Sequence, residues 1–265
     1  MSTFIHVILL AIVQGIAEFL PISSSAHLVF CGEILARLGF ARLEEPLLVG
    51  VILHLASLLA ILCYYWRPVA RMAFGRDMRL VGLLVVATIP VGLVGVAVKV
   101  FFDEQFDAVF ENAHMAGAML LVTAGLLLLA HFLSHREANS NLKTMSVVGA
   151  FFVGIMQALA VFPGISRSGS TITGGLLTGL KRDQAATFSF LIAIPAILGA
   201  GAVEVLKLMK EGAGNISMGA LCVGFVLCFV ISLLSLHLLV RLLKSHLLWV
   251  FVVYLVPVGI LMMLI

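Results

Sequence analysis

Long apolar runs separated by short polar stretches set the pattern of this chain. Six runs reach the roughly 20 residues that a helix needs to cross the hydrocarbon core of a bilayer: 47–66, 80–101, 113–135, 184–209, 217–243 and 246–265. Two other regions break off too early. A run over 4–20 stops at Pro21-Ile-Ser-Ser-Ser and resumes near 26–36, and a run over 146–162 stops at Pro163-Gly-Ile-Ser-Arg-Ser and resumes over 171–180. Each reads as a helix–break–helix pair that enters the membrane and turns back. The expected fold is therefore an all-α integral membrane protein, with six full transmembrane helices plus two re-entrant helix hairpins in a single polytopic domain over 1–265. A β-barrel would show short alternating segments instead.

The two broken regions resemble each other. At an offset of 143, IVQGIAEFLPISSSAH (12–27) aligns without a gap on IMQALAVFPGISRSGS (155–170), with seven of sixteen positions identical. Gln14, Phe19, Ser23 and Ser25 are among the matches, and richness in Leu, Ala and Ile does not account for them. The alignment predicts internal repeats over approximately 1–140 and 141–265, each a broken hairpin followed by three spans. Three is odd, so the second copy is expected to be inverted relative to the first.

Charge bears on the same point. Lys and Arg concentrate in cytoplasmic loops. Loops 67–79, 136–145, 181–183 and 241–246 fall on one side by alternation and hold ten Lys and Arg, including Arg67, Arg71, Arg76 and Arg79. The opposite loops, 37–46, 99–112 and 207–215, hold five, with seven of the thirteen acids. This predicts both termini outside and hairpin tips that meet near the midplane from opposite faces, as in inverted-repeat transporters. Arg167 is the one basic residue left over.

Composition agrees with a multi-pass membrane protein: 62% of residues are hydrophobic and only 11% charged, against about 25% charged in soluble domains. The start, MSTFIHVILLAIVQG, lacks the basic n-region of a signal peptide and reads as part of the mature chain. Cys31, Cys63, Cys222 and Cys228 stand singly in apolar runs, the pattern of packing cysteines rather than of zinc or redox sites. The net charge of +3 belongs to the loops, and no nucleic-acid partner is expected.

An ionisable group within the bilayer costs roughly 2.5–3.5 kcal/mol on insertion scales and marks function by default. Four polar candidates lie at or near the hairpin tips: Gln14, Glu18, His27 and Arg167. Gln14 and Glu18 are i and i+4 and share a helix face. A carboxylate beside an amide oxygen suits a hard divalent metal, Mg²⁺ or Ca²⁺. The competing reading is a structural ion pair of Glu18 with Arg167. Ser24 and His27 share a face if the second arm is helical, a spacing at which an imidazole can take a hydroxyl proton. A serine at a helix start is also commonly just a cap.

Phe162–Thr171 supplies the complement. Pro163 and Gly164 end one helix; Ser166, Ser168 and Thr171 offer hydroxyls where the next begins. N–H groups at a helix start bind anions, and Arg167 adds a fork matched to phosphate. A packing loop of small residues has no need of the arginine. His54 is a weaker candidate, while His131, His135, His237 and His246 lie near span ends, where interfacial placement is ordinary. Pro90 and Pro195 read as kinks. Arginine, carboxylate, histidine and hydroxyls at two helix starts together point to phosphate chemistry inside the bilayer.

Gln14-x-x-x-Glu18 followed by PISSSAH, and then PGISRSGST, resemble the two signature motifs of the undecaprenyl-diphosphate phosphatase family (BacA type). The similarity continues through VILHLASLLAIL, VATIPVGLVG and ATFSFLIAIPAI over almost the whole chain. It implies a multi-pass enzyme of the bacterial inner membrane that removes the terminal phosphate of a C55 isoprenoid diphosphate. That reaction recycles the lipid carrier for peptidoglycan and other envelope polymers, and overproduction brings bacitracin resistance. The resemblance also implies a divalent-metal requirement and a site open to the periplasmic side. Glu18, His27 and Arg167 match the family's functional residues, and Ser23, Ser24, Ser166 and Thr171 match further polar positions. This chain departs from the family at Gln14, where many members have Glu, at Ala26, where Gly is usual, and at Leu47-Leu48.

The expected mechanism has Ser24, activated by His27, as the nucleophile, with His27 itself or a metal-activated water as alternatives. Arg167, Ser23, Gly164, Ser166, Ser168 and Thr171 bind the diphosphate, and Glu18 with Gln14 holds the metal. A homodimer is compatible with this reading. The main rival is a transporter or flippase that binds polyprenyl phosphates without cleaving them, since broken inverted repeats also suit alternating access. An intramembrane serine protease lacks its glycine-flanked serine here.

Overall fold

The structure is a computed structural model, and it describes residues 2–39, 46–102, 112–135, 140–211 and 216–264. Eleven helices account for the described residues in chain order: α1 Ser2–Ala17, α2 Ser24–Arg37, α3 Pro46–Tyr64, α4 Trp66–Ala73, α5 Met78–Phe101, α6 Ala113–Leu133, α7 Val147–Leu159, α8 Arg167–Leu177, α9 Arg182–Glu211, α10 Met218–Lys244 and α11 Trp249–Leu264. No strand occurs among the described residues beyond one isolated bridge, Ser140 to Leu180.

Local chemistry sets these boundaries. Asp77, Asn112, Ser146 and Ser166 each cap a helix by accepting an N–H three residues on, from Leu80, Met115, Gly149 and Gly169, interactions worth about 1 kcal/mol each. Pro46 stands at the first position of α3, where its missing N–H costs nothing. Pro90, Pro195 and Pro257 fall inside α5, α9 and α11, as expected for the first two.

Five helices, α3, α5, α6, α9 and α10, are long and apolar enough to cross a membrane. The sixth expected span, 246–265, is shorter than anticipated: α11 has 16 residues, about 24 Å at 1.5 Å per residue. His246 takes a left-handed conformation with φ 58°, which ends the connection from α10 and delays the start of α11. Parts of the loops expected outside, 40–45, 103–111 and 212–215, and of the loop expected inside at 136–145, namely 136–139, lie outside the described residues. A second difference concerns 67–79. Its first half is not a loop but the short helix α4, with Arg67 and Arg71 exposed on one side and Val69 and Met72 half-buried on the other.

The broken hairpins are present as helix pairs, α1 with α2 and α7 with α8, each packed on its mate. Each pair packs against a long helix on one side, α1 along α10 and α7 along α5, while α6 lies along α11. Small residues permit the close crossings. A Cβ on Gly154 of α7 would stand 2.3 Å from the carbonyl oxygen of Ala87 in α5, and one on Gly117 of α6 would stand 2.7 Å from that of Gly259 in α11. Backbones that approach so nearly gain dispersion contacts where no hydrophobic force acts between helices. The main core gathers Phe19, Phe188, Phe190, Leu191, Leu120 and Leu127 around the hairpin tips, all fully buried. A smaller cluster of Val7, Val49, Leu53, Leu221 and Cys228 joins α1, α3 and α10. The four cysteines are free.

Candidate active site

The breaks in the two hairpins face each other. The last turn of α1 carries Gln14, and Glu18 follows one residue after the helix, its N–H still bonded to the Gln14 carbonyl at 2.9 Å. From Pro21 the chain turns sharply. Ser23 accepts the strain of that turn with φ 71°, a region in which non-glycine residues cost of order 1–3 kcal/mol and which clusters at functional sites. The turn starts α2 with Ser24 directed back at Glu18. In the second hairpin, Gly164 has φ +96°, and a Cβ there would lie 2.4 Å from the Ala116 carbonyl, so only glycine fits. Thr123 of α6 clasps this tip from behind: its hydroxyl donates to the Gly164 carbonyl at 2.8 Å and accepts the Ser166 N–H at 3.0 Å. Arg167 then opens α8.

Glu18 is the hub. Its Oε1 accepts from Nη2 of Arg167 at 2.9 Å, while Oε2 accepts from the Ser24 hydroxyl at 2.9 Å and from Nε2 of Gln14 at 3.1 Å. Glu18 and Arg167 leave 7% and 16% of their side chains accessible, so the pair is largely desolvated and its remaining hydrogen-bonding capacity matters. Two atoms of this cluster are buried without any partner: Nη1 of Arg167, a charged donor, and Oε1 of Gln14, an acceptor. Buried polar groups are nearly always paired, with protein, water or a bound ion. The arginine presents a free N–H edge to an anion. The glutamine, its N–H₂ turned to the carboxylate, presents a bare oxygen to a cation or donor.

His27 sits one turn into α2, half-buried. Its Nδ1 donates to the Ser23 carbonyl at 2.8 Å, so in the neutral ring Nε2 is the acceptor. Nε2 accepts from the hydroxyl of Tyr254 at 2.8 Å, and the two rings stack with centroids 5.7 Å apart. Tyr254 comes from α11, 227 residues away.

These distances sort the expected residues. Gln14, Glu18, Ser24 and Arg167 form one hydrogen-bonded unit, with His27 on the next turn of the same short helix. The expected Ser24–His27 hydrogen bond is replaced by Ser24 to Glu18: the ring is pinned by the Ser23 carbonyl and Tyr254, and the serine is drawn to the carboxylate. Ser23, Ser166, Ser168 and Thr171 are buried and engaged in holding the tips. Ser23 and Ser166 cap α2 and α8. Ser168 donates to the Leu20 carbonyl at 3.4 Å, tying one hairpin to the other. Thr171 donates to the Arg167 carbonyl at 2.7 Å and lies 2.6 Å from the Ser189 hydroxyl. The Gly164 N–H reaches Ser25 at 3.4 Å, a second tie between tips.

Sequence reasoning missed Tyr254 and Thr123, which lie in apolar runs with no local motif to mark them. His54 of α3 bonds the Gly50 carbonyl at 2.9 Å. Three other histidines gather between the ends of α6 and α10. His131, His135 and His246 form a ring cluster with centroid separations of 4.8 and 4.5 Å. Burial and the nearby Arg182, His135 and His131 hold His246, in the turn before α11, below the usual imidazole pKa.

The donor set bears on a metal. Among the described residues no three His, Cys, Asp or Glu side chains gather as a dedicated cage. Mg²⁺, however, is commonly held by one or two carboxylates together with substrate phosphates and water, and Glu18 with the bare Gln14 Oε1 fits such a partial shell.

The family model for bacitracin resistance protein BacA matches residues 7–261 of this chain. An undecaprenyl-diphosphatase of Rhodopirellula baltica is 41% identical over 265 residues, covering 100% of this chain and 98% of its own. Similar proteins of the same name occur in Methanosphaera stadtmanae, 36% identical with 98% and 97% covered, and in Halothermothrix orenii, 37% identical with 96% and 95% covered.

Proposed function

Because this chain belongs to the BacA bacitracin resistance family, we propose that it is an undecaprenyl-diphosphatase whose chemistry takes place where its two hairpins meet. It hydrolyses undecaprenyl diphosphate to undecaprenyl phosphate and inorganic phosphate, an activity that underlies bacitracin resistance. The observation that carries the site assignment is the buried, unpartnered Nη1 of Arg167 beside a Glu18 that is otherwise satisfied. A purely structural ion pair would leave no charged donor unused in a desolvated site, whereas a diphosphate oxygen completes it.

The terminal phosphate binds against Nη1 and the N–H groups that begin α8. Ser24 Oγ attacks its phosphorus while the serine proton passes to Glu18 Oε2, to which it already points. The bond from that phosphorus to the bridging oxygen breaks, and its electron pair leaves with the polyprenyl monophosphate. Water then attacks the phosphoserine, giving a proton to His27 Nε2; the Ser24 oxygen departs and recovers its proton from Glu18. Tyr254, a donor to Nε2 at rest, turns acceptor when that nitrogen is protonated. Mg²⁺ or Ca²⁺ held by Glu18 and Gln14 would offset charge on the phosphate oxygens.

Purified protein in detergent should release inorganic phosphate from farnesyl diphosphate, lose most of that activity in EDTA and regain it with Mg²⁺ or Ca²⁺. Binding without release would favour a carrier over an enzyme, and indifference to EDTA would remove the metal from the scheme.

We further propose an inverted-topology repeat of six spans and two re-entrant pairs, with both termini and the site opening on the outer face of the bacterial inner membrane. Helix order supports it. At the offset of 143, α1, α2, α3 and α5 fall on α7, α8, α9 and α10, and α6 and α11 follow in the same order. Packing is exchanged in the same sense: α1 lies on α10 of the other half, and α7 on α5. A cysteine introduced at position 76 should resist an impermeant thiol reagent in intact cells and react once they are opened; labelling in intact cells would reverse the topology.

A further inference from the structure

Away from the hairpin junction, α3, α4, α5 and α9 enclose a groove of about 620 Å³, within the 300–1,000 Å³ typical of ligand sites. Its walls are apolar. The one polar side chain among them, Thr88, spends its hydroxyl on the Leu84 carbonyl at 2.7 Å. The groove is open to the exterior, since Val85 and Ile89 on its rim are 58% and 47% exposed. An apolar space of this kind does not hold ordered water, which needs several polar partners.

The helix α4 that forms one wall has the opposite character on its other side. The amphipathic helix α4 turns Val69 and Met72 into the groove and leaves Arg67 and Arg71 exposed on its outer side. Arg67 lies over the ring of Trp66 at 5.4 Å, and Trp at such a position anchors a helix at the headgroup level. Arg76 is exposed just beyond. Ion pairs among the described residues are confined to Glu33 with Arg37 and Glu18 with Arg167, so none of the three arginines has an acidic partner there. Nearby Asp77 is committed to capping the Leu80 N–H, and Arg79 to the carbonyls of Leu142 and Met145.

A dry chain-sized groove walled by a helix whose other side carries unpaired guanidinium groups matches an anionic amphiphile. We infer that this groove is a binding site for one anionic phospholipid of the surrounding leaflet, with an acyl chain lying along Met72, Leu84 and Pro195 and the phosphate headgroup held by Arg67 and Arg71. Charge selects the occupant: a zwitterionic lipid fills the groove equally well but leaves the arginines uncompensated.

Native mass spectrometry of delipidated protein titrated with phosphatidylglycerol or phosphatidylcholine tests this. Phosphatidylglycerol should give one saturable adduct and raise the thermal midpoint, and phosphatidylcholine should do neither at equal concentration. R67Q/R71Q should weaken the adduct about 30-fold, from roughly a fivefold contribution per arginine. Val85→Trp, which fills the groove from its lipid-exposed rim, should remove the adduct while both arginines remain. Equal response to the two lipids, an adduct that survives both variants, or a dimer in which a second copy covers the groove would each overturn the assignment.

Discussion

Arg167→Ala should lower phosphate release by at least about 10²–10³-fold, the usual loss when one preorganised charge-stabilising donor is removed. Two effects are mixed in that variant and need to be separated. Nη1 has no partner in the resting protein, so its loss is felt only when phosphate binds. Nη2 holds Glu18 Oε1 at 2.9 Å, and deleting it strands a buried carboxylate at a cost of about 3–5 kcal/mol, enough to unfold the tip. Two further variants resolve them. Arg167→Lys keeps a positive charge for Glu18 but cannot serve carboxylate and phosphate with one rigid fork; it should remain folded and lose most activity. R167A/E18Q removes charge on both sides and should regain thermal stability relative to R167A while remaining inactive. Were the double variant to regain turnover, Arg167 would be a structural counter-ion only. Normal phosphate release from R167A would remove the site altogether.

That variant set exists because the residues were legible in sequence while their contacts were not. Proline, glycine and serine inside membrane-grade runs are costly, so the breaks that begin at Pro21 and Pro163 announce themselves, and the offset of 143 pairs them. The prolines inside α5 and α9 are legible as single residues. The limits have equally local causes. Helix α4 is eight residues long, too short to stand out from an arginine-rich connection whose charges already had a reading in topology. The Ser24–Glu18 contact depends on the positive φ of Ser23, which no propensity favours. Spacing of i and i+3 places Ser24 and His27 on one face but does not orient the ring, and the Ser23 carbonyl does. Tyr254 reaches His27 from the far end of the chain, where a hydroxyl in an apolar span carries no sign of its destination.

That ring orientation makes the nucleophile testable. If Ser24 attacks and His27 acts on the water that follows, the two residues fail at different steps. Ser24→Ala removes the covalent route, and kcat should fall about 10³-fold or more with no phosphorylated protein at any time. His27→Gln leaves attack intact, because the serine proton goes to Glu18 at 2.9 Å rather than to the imidazole. It should slow turnover about 10²–10⁴-fold, the range for a lost general base, while phosphoserine accumulates on the peptide containing Ser24 after acid quench. Tyr254→Phe frees Nε2 of its 2.8 Å donor and should cost much less, with no added effect in the His27→Gln background, as expected of residues that act through one contact. Phosphohistidine at position 27 would transfer the nucleophile to the imidazole. Turnover by Ser24→Ala within tenfold of the parent would leave water as the attacking group and reduce Ser24 to a ligand of Glu18.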